Sequence, residues 1–281
     1  IFIALDTEEK GVLEAAWKAR EWFEEWEQAF SRFRISSELS ILNKLPGVPV
    51  RVSEPLFEIL KLSMNIQEMT GGIFNPLILN SLEFAGYNVT FDELSQNINL
   101  FVEQEGLPLS SNDAEIKIIE DDRSVVIPYG YKLDLGGVAK GWAANLTMAR
   151  LQHLAPILVD AGGDIAVSQP KQDDSFWPVG ITDPFSPDKT LDLLMISKGG
   201  IATSGRDFRR WKMNGKWMHH LIDTRNDRPA VTDIVSATVI SKDVIFSEAA
   251  AKCAVILGSG EATQWLTNQQ GIEYLLLLEN Q

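Results

Sequence analysis

Apolar residues recur every three to four positions from Gly11 to Phe33: Val12, Ala15, Ala16, Ala19, Phe23, Trp26, Phe30 and Phe33. That spacing predicts one long amphipathic helix. Trp17 and Trp22 widen its apolar stripe, while Glu14, Lys18, Glu21, Glu25 and Gln28 cover the other face. Ser53-Glu-Pro opens a second helix running to Gly71-Gly72, with Leu56, Phe57, Leu60, Met64 and Met69 inside. Thr90 and Glu93 form a capping box for a third, to about Glu103. Strands are then expected at 114–119 and 124–127, joined by the acidic turn 120–122, and at 132–135.

Gly136-Gly137 leads into a helix from about Val138 to Leu151. The second half reads mostly as strands, near 156–160, 164–168, 177–182, 191–196, 200–204, 208–213, 217–222 and 233–240. Two helices, near 244–257 and 260–269, and a strand at 273–278 complete the chain. Long helices first and strand-rich meanders later predict an α+β fold with mainly antiparallel sheets. With 281 residues and no repeat or linker, the chain reads as one large domain or two small, closely packed ones.

Charge narrows the ligand classes. The chain carries 25 Lys+Arg against 39 Asp+Glu, a net charge of −14, with no basic block. Nucleic acid is therefore not expected as a partner. An anionic ligand must be met by local devices: backbone amides, single lysines or a metal ion. One cysteine, Cys253, excludes an internal disulfide and reads as a small core residue within AAAKCAVILG. No apolar run has the length of a membrane span. The chain opens without Met inside a strand-like stretch, so a leader or first strand is expected ahead of Ile1.

Four turns interrupt apolar strands beside polar residues. Three contain glycine: 133–141 with Asp134, Gly137 and Lys140, 159–164, and 201–205 with Thr203 and Ser204. The fourth follows His219-His220-Leu221-Ile222-Asp223. Glycine at such a junction lets backbone approach a ligand, and a new helix points its free amides at an anion. Each is also describable as a plain tight turn. Lys140 lies one turn into its helix, within reach of a phosphate at the helix start. Neither dinucleotide-binding nor P-loop glycine pattern is present.

His219 and His220 alternate sides of a strand, so one can face a site with Asp223 just beyond. A His–Asp pair of this kind serves as general base toward a hydroxyl or thiol, or is structural. Glu248 and Lys252 stand at i,i+4 in an otherwise apolar helix. They are either an intrahelical ion pair or part of a site, since burying charge demands a reason.

Taken in order, these segments resemble one family, the ApbE-type flavin transferases. The resemblance runs from Phe30-Ser-Arg-Phe-Arg and Ser37-Glu-Leu-Ser through Thr70-Gly-Gly-Ile-Phe-Asn-Pro76 and 133–141. It continues through the Gly162-Gly-Asp turn, 202–205, His220-Leu-Ile-Asp223 and Arg228-Pro229 to the helix ending at Gly258. It implies a single domain over 1–281, built of two closely packed α+β subdomains with an FAD cleft between them. It also implies an activity: FAD is split at its pyrophosphate and FMN moves onto a Thr or Ser hydroxyl of an acceptor flavoprotein, releasing AMP.

The resemblance assigns cofactor contacts to Phe33, Phe84, Asp134, Lys140, Thr203, Ser204, Leu221 and Ile222. His220 and Asp223 are the catalytic pair. A divalent cation such as Mg2+ is implied at Gly137 and Glu248. The family's last helix, however, has Asp and, four residues on, Thr where this chain has Glu248 and Lys252. An ammonium carries only donors, so Lys252 reads as a fixed positive charge in the cation's place. The alternative function is an FAD or nucleotide binder without metal-dependent turnover. Other departures are Asn75 for Asp, Thr224 for Pro, and Asn226-Asp227 for Thr-Gly. The segment Leu82-Glu-Phe-Ala-Gly86 replaces a Trp-bearing, glycine-rich one. An extracytoplasmic location, with or without a peripheral membrane tether, is implied by the resemblance alone; oligomeric state is not.

Overall fold

The computed structural model describes residues 1–95 and 108–279. Its centre is a six-stranded sheet in the order Phe2–Leu5, Ile157–Asp160, Ile165–Val167, Gly199–Gly205, Ile234–Ser241, Glu273–Leu278. Every neighbouring pair is antiparallel. Alternation along these strands separates two apolar layers. Val159 and Ala166 face the helices Ala139–Leu151 and Val244–Thr267. Leu158, Ile165, Val167 and Ile201 face the hairpin Trp177–Thr182/Thr190–Ile196, through Trp177, Val179 and Ile196. The α+β reading with antiparallel sheets is what the chain adopts.

The N-terminal helices Ala19–Phe30 and Glu54–Met69 join the same large core through Trp26, Phe30, Leu56, Phe57 and Leu60. Ser53 caps the latter as expected, accepting from the Leu56 amide. Met69 at its end is exposed rather than inside. Thr90 and Glu93 exchange the two capping-box hydrogen bonds. The helix they start is described over Phe91–Ser95, and its expected continuation to Glu103 lies outside the described residues.

Three expectations change. The first helix is divided into Lys10–Trp17 and Ala19–Phe30 by a tightened turn, the Lys18 amide bonding Ala15. It stops at Phe30 because Ser31 is extended, so Phe33 leaves the helix. The stretch 132–135 is not a strand: the Asn43 side chain takes both the Leu133 amide (2.7 Å) and the Leu133 carbonyl (2.9 Å). The two late helices form as expected within the span Val244–Thr267, meeting at Gly258, whose φ of +75 and ψ of 164 are not helical. The expected strand 217–222 breaks after His219 and resumes at Ile222–Asp223. Among the described residues, no helix is long and apolar enough to cross a membrane.

Candidate functional site

Two cavities meet beside the helix Ala139–Leu151. The larger, about 1130 Å³, is walled by Trp26, Phe30, Ala143, the helical Lys140 and the loop residues Phe33 and Asp134. The smaller, about 100 Å³, holds His220, Leu221, Ile222, Arg209 and Lys252. Arg32, Phe33, Asp134 and Gly136 line both and form the junction. The turn at Asp134 is locally determined: its carboxylate accepts from the Gly136 amide at 2.9 Å, and its own amide donates to the Pro76 carbonyl.

Arg32 organises the junction. Its Nε is 2.9 Å from Asp134 Oδ2, and Nη1 donates to the Tyr87 carbonyl at 2.8 Å. The guanidinium lies 4.1 Å from the Phe33 ring centre and 4.5 Å from that of Tyr87. Its remaining Nη2 is buried with no partner. A buried donor left unmet is costly unless a ligand meets it. Arg32 lies within Phe30-Ser-Arg-Phe-Arg, where the sequence alone assigns it no role. A single arginine beside two aromatics carries no periodic signal.

His220 lies where the strand ends, and burial is the main reason its imidazole is held well below the usual histidine range, with Arg209 and Lys252 adding to it. It is therefore neutral at pH 7, and its buried Nδ1 has no partner. His219 points the other way, its Nε2 2.9 Å from the Ala230 carbonyl. Asp223 does not complete a His–Asp pair. Its carboxylate is taken by Arg225, Nε to Oδ1 and Nη2 to Oδ2, both at 2.9 Å.

Behind the cavities four charges interlock. Lys140 bonds Asp164 and lies 3.9 Å from Glu248 Oε1, while Lys252 donates to that same Oε1 at 2.8 Å. Glu248 Oε2 accepts the Gly141 amide at 2.8 Å, meeting one orphan donor of the helix start. This works only with glycine: a Cβ on Gly141 would stand 2.7 Å from that oxygen. Burial, with the Asp164 charge second, pushes Glu248 up to about 7 against the pull of Lys252 and Lys140. Burial lowers the Lys140 ammonium, but Glu248 and Asp164 more than offset it, so the net shift is upward.

A divalent cation needs several free oxygen ligands. Here both carboxylates already hold ammonium groups. Among the described residues, no cluster of three or more His, Cys, Asp or Glu can hold a metal. Gly137 lines the smaller cavity beside the Lys252 stem. The donor set as placed does not fit a dication.

Of the residues expected at the site, Phe33, Asp134, Gly137, Lys140, His220, Leu221, Ile222 and Lys252 line one cavity or both. Glu248 is sealed just behind Lys252. Phe84 lines neither; Tyr87, three residues on, is the cavity aromatic of that segment. Thr203 and Ser204 line neither, because they lie within the strand Gly199–Gly205 rather than in a turn. Thr203 is bonded across the sheet to Thr238, hydroxyl to hydroxyl at 2.9 Å.

The family model described as "ApbE family" matches residues 3–276. An FAD:protein FMN transferase of Treponema pallidum is 27% identical, over 89% of this chain and 73% of that protein. One from Klebsiella pneumoniae is 26% identical, over 88% and 77%. Among solved structures, the ApbE protein of Thermotoga maritima superposes with a TM-score of 0.79 at 23% identity, covering 98% of this chain and 89% of that one. The Pseudomonas stutzeri flavinyl transferase ApbE superposes with 0.78 at 19% identity, covering 99% and 87%. With a match across nearly its full length, the chain belongs to the ApbE family.

Proposed function

We propose that this protein is an FAD:protein FMN transferase acting on a Thr or Ser hydroxyl of an acceptor flavoprotein. The observation that carries the reading is His220: a neutral, buried imidazole with a free Nδ1, in the cavity that also holds Asp134 and Lys252. The larger, aromatic-walled cavity suits a planar ring system, and the junction suits a diphosphate. His220 takes the proton of the acceptor hydroxyl. The hydroxyl oxygen bonds to the FMN-side phosphorus, the bond from that phosphorus to the bridging oxygen breaks, and AMP leaves with that oxygen. Such transfer depends mainly on positioning and charge neutralisation, which Arg32, Lys140 and Lys252 can supply.

The test is incubation with FAD and a Thr-bearing acceptor domain, in EDTA and with several divalent ions. Covalent flavin fluorescence on the acceptor, with matching AMP, supports the reading. No label and no AMP in any medium overturns it. The Lys252–Glu248 pair favours a second reading, an FAD binder without turnover, which requires FAD binding under those same label-free conditions.

A further inference from the structure

The four interlocked charges are not distributed at random in depth. Both carboxylates are at the back: the side chains of Asp164 and Glu248 are 1% and 0% exposed. Both ammonium groups are in front, Lys140 lining the larger cavity and Lys252 the smaller. The Lys252 side chain remains 12% exposed. Its stem lies along Gly137, 3.7 Å from where a Cβ would stand, which carries the ammonium to the start of the helix Ala139–Leu151. An ammonium has three donors, and one of Lys252's goes to Glu248.

Negative charge sealed behind and positive charge facing the cavities make a fixed cationic wall. It spans the two cavities, both of which are also lined by Arg32 with its unmet Nη2. A divalent cation at Glu248 would have to displace the Lys252 ammonium or sit against it, and like charges repel. We propose that Lys252 is a built-in cation: with Lys140 it binds the diphosphate of a dinucleotide directly, so FAD binding needs no divalent metal. This rests on the reading that the ligand is FAD.

The test is flavin-fluorescence titration of the full chain with FAD, in EDTA and in millimolar Mg2+ or Mn2+. The expected dissociation constants agree within a factor of about two across these media. Lys252→Met should weaken FAD and ADP by about ten- to a hundredfold in every medium, as loss of a charge-assisted contact does. Riboflavin, which has no phosphate, should bind the wild type and Lys252→Met alike. Tightening of wild-type FAD binding by more than about tenfold on adding the metal overturns the inference and leaves the transferase reading standing. Absence of FAD binding in all media overturns both. The wild-type comparison decides the matter even if the variant fails to fold.

Discussion

Asp223 is clamped by Arg225 in a two-point, fork-to-fork contact, with both hydrogen bonds at 2.9 Å. The Asp223 carboxylate also accepts the Arg225 amide at 3.0 Å. It thus closes the turn between Ile222–Asp223 and Arg228–Pro229 instead of orienting His220. Arg225 is half in solvent, which weakens the ionic part of the contact. Asp223→Asn should therefore cost about 1 kcal/mol and lower the melting temperature by about 2–4 °C. The pH profile of flavin transfer should stay where it is in the wild type. A profile displaced by this substitution would restore Asp223 to the catalytic pair.

His220→Gln should lower the transfer rate by about 10²–10⁴-fold, the usual contribution of a general base, with FAD affinity little changed. In the folded protein this imidazole titrates well below the unfolded value of 6.5. The wild-type rate should accordingly hold steady from pH 7.5 down through 6.5, with its acid limb lower still. For stability, the unfolded state binds the proton first, so His220 makes stability fall as pH drops below 6.5. Stopped-flow rates and thermal melts across that range check both statements.

Arg32→Lys keeps a positive charge but loses the planar fork that touches Asp134, Tyr87 and the unmet ligand position together. FAD affinity should fall by about tenfold or more, as for loss of a hydrogen bond to a charged group. Riboflavin fluorescence titration separates a lost phosphate contact, which leaves riboflavin unchanged, from a disordered Phe33, which weakens it too.

Gly141→Ala would place a methyl 2.7 Å from Glu248 Oε2 and 3.2 Å from the Ile245 Cα. One of these is main chain, so the helices must separate. The expected cost is about 1–3 kcal/mol, seen as a drop in melting temperature of several degrees. An unchanged melting temperature would mean that the Glu248 contact is looser than its 2.8 Å hydrogen bond to the Gly141 amide indicates.

What the sequence determined by itself is what spacing within a few residues controls. The Ser53 and Thr90–Glu93 caps, the alternation of Trp177–Thr182 and the i,i+4 pairing of Glu248 with Lys252 all follow from local backbone geometry. The ordered motifs also pointed to the family across the whole chain. Tertiary structure alone decided which distant groups meet. Asp164 comes to Lys140 because the sheet brings the turn after Ile157–Asp160 against the helix 139–151, and Glu248 reaches Gly141 across a helix contact with room only for hydrogen. The ladder ends at His219, so alternation stops placing side chains there; Asp223 then finds the nearer Arg225 rather than His220. Arg32 joins the site only because the helix ends at Phe30 and Ser31 turns the chain toward Asp134. Short-range hydrogen bonds are encoded by spacing, whereas partners separated by many residues depend on how sheet register and helix packing close the core.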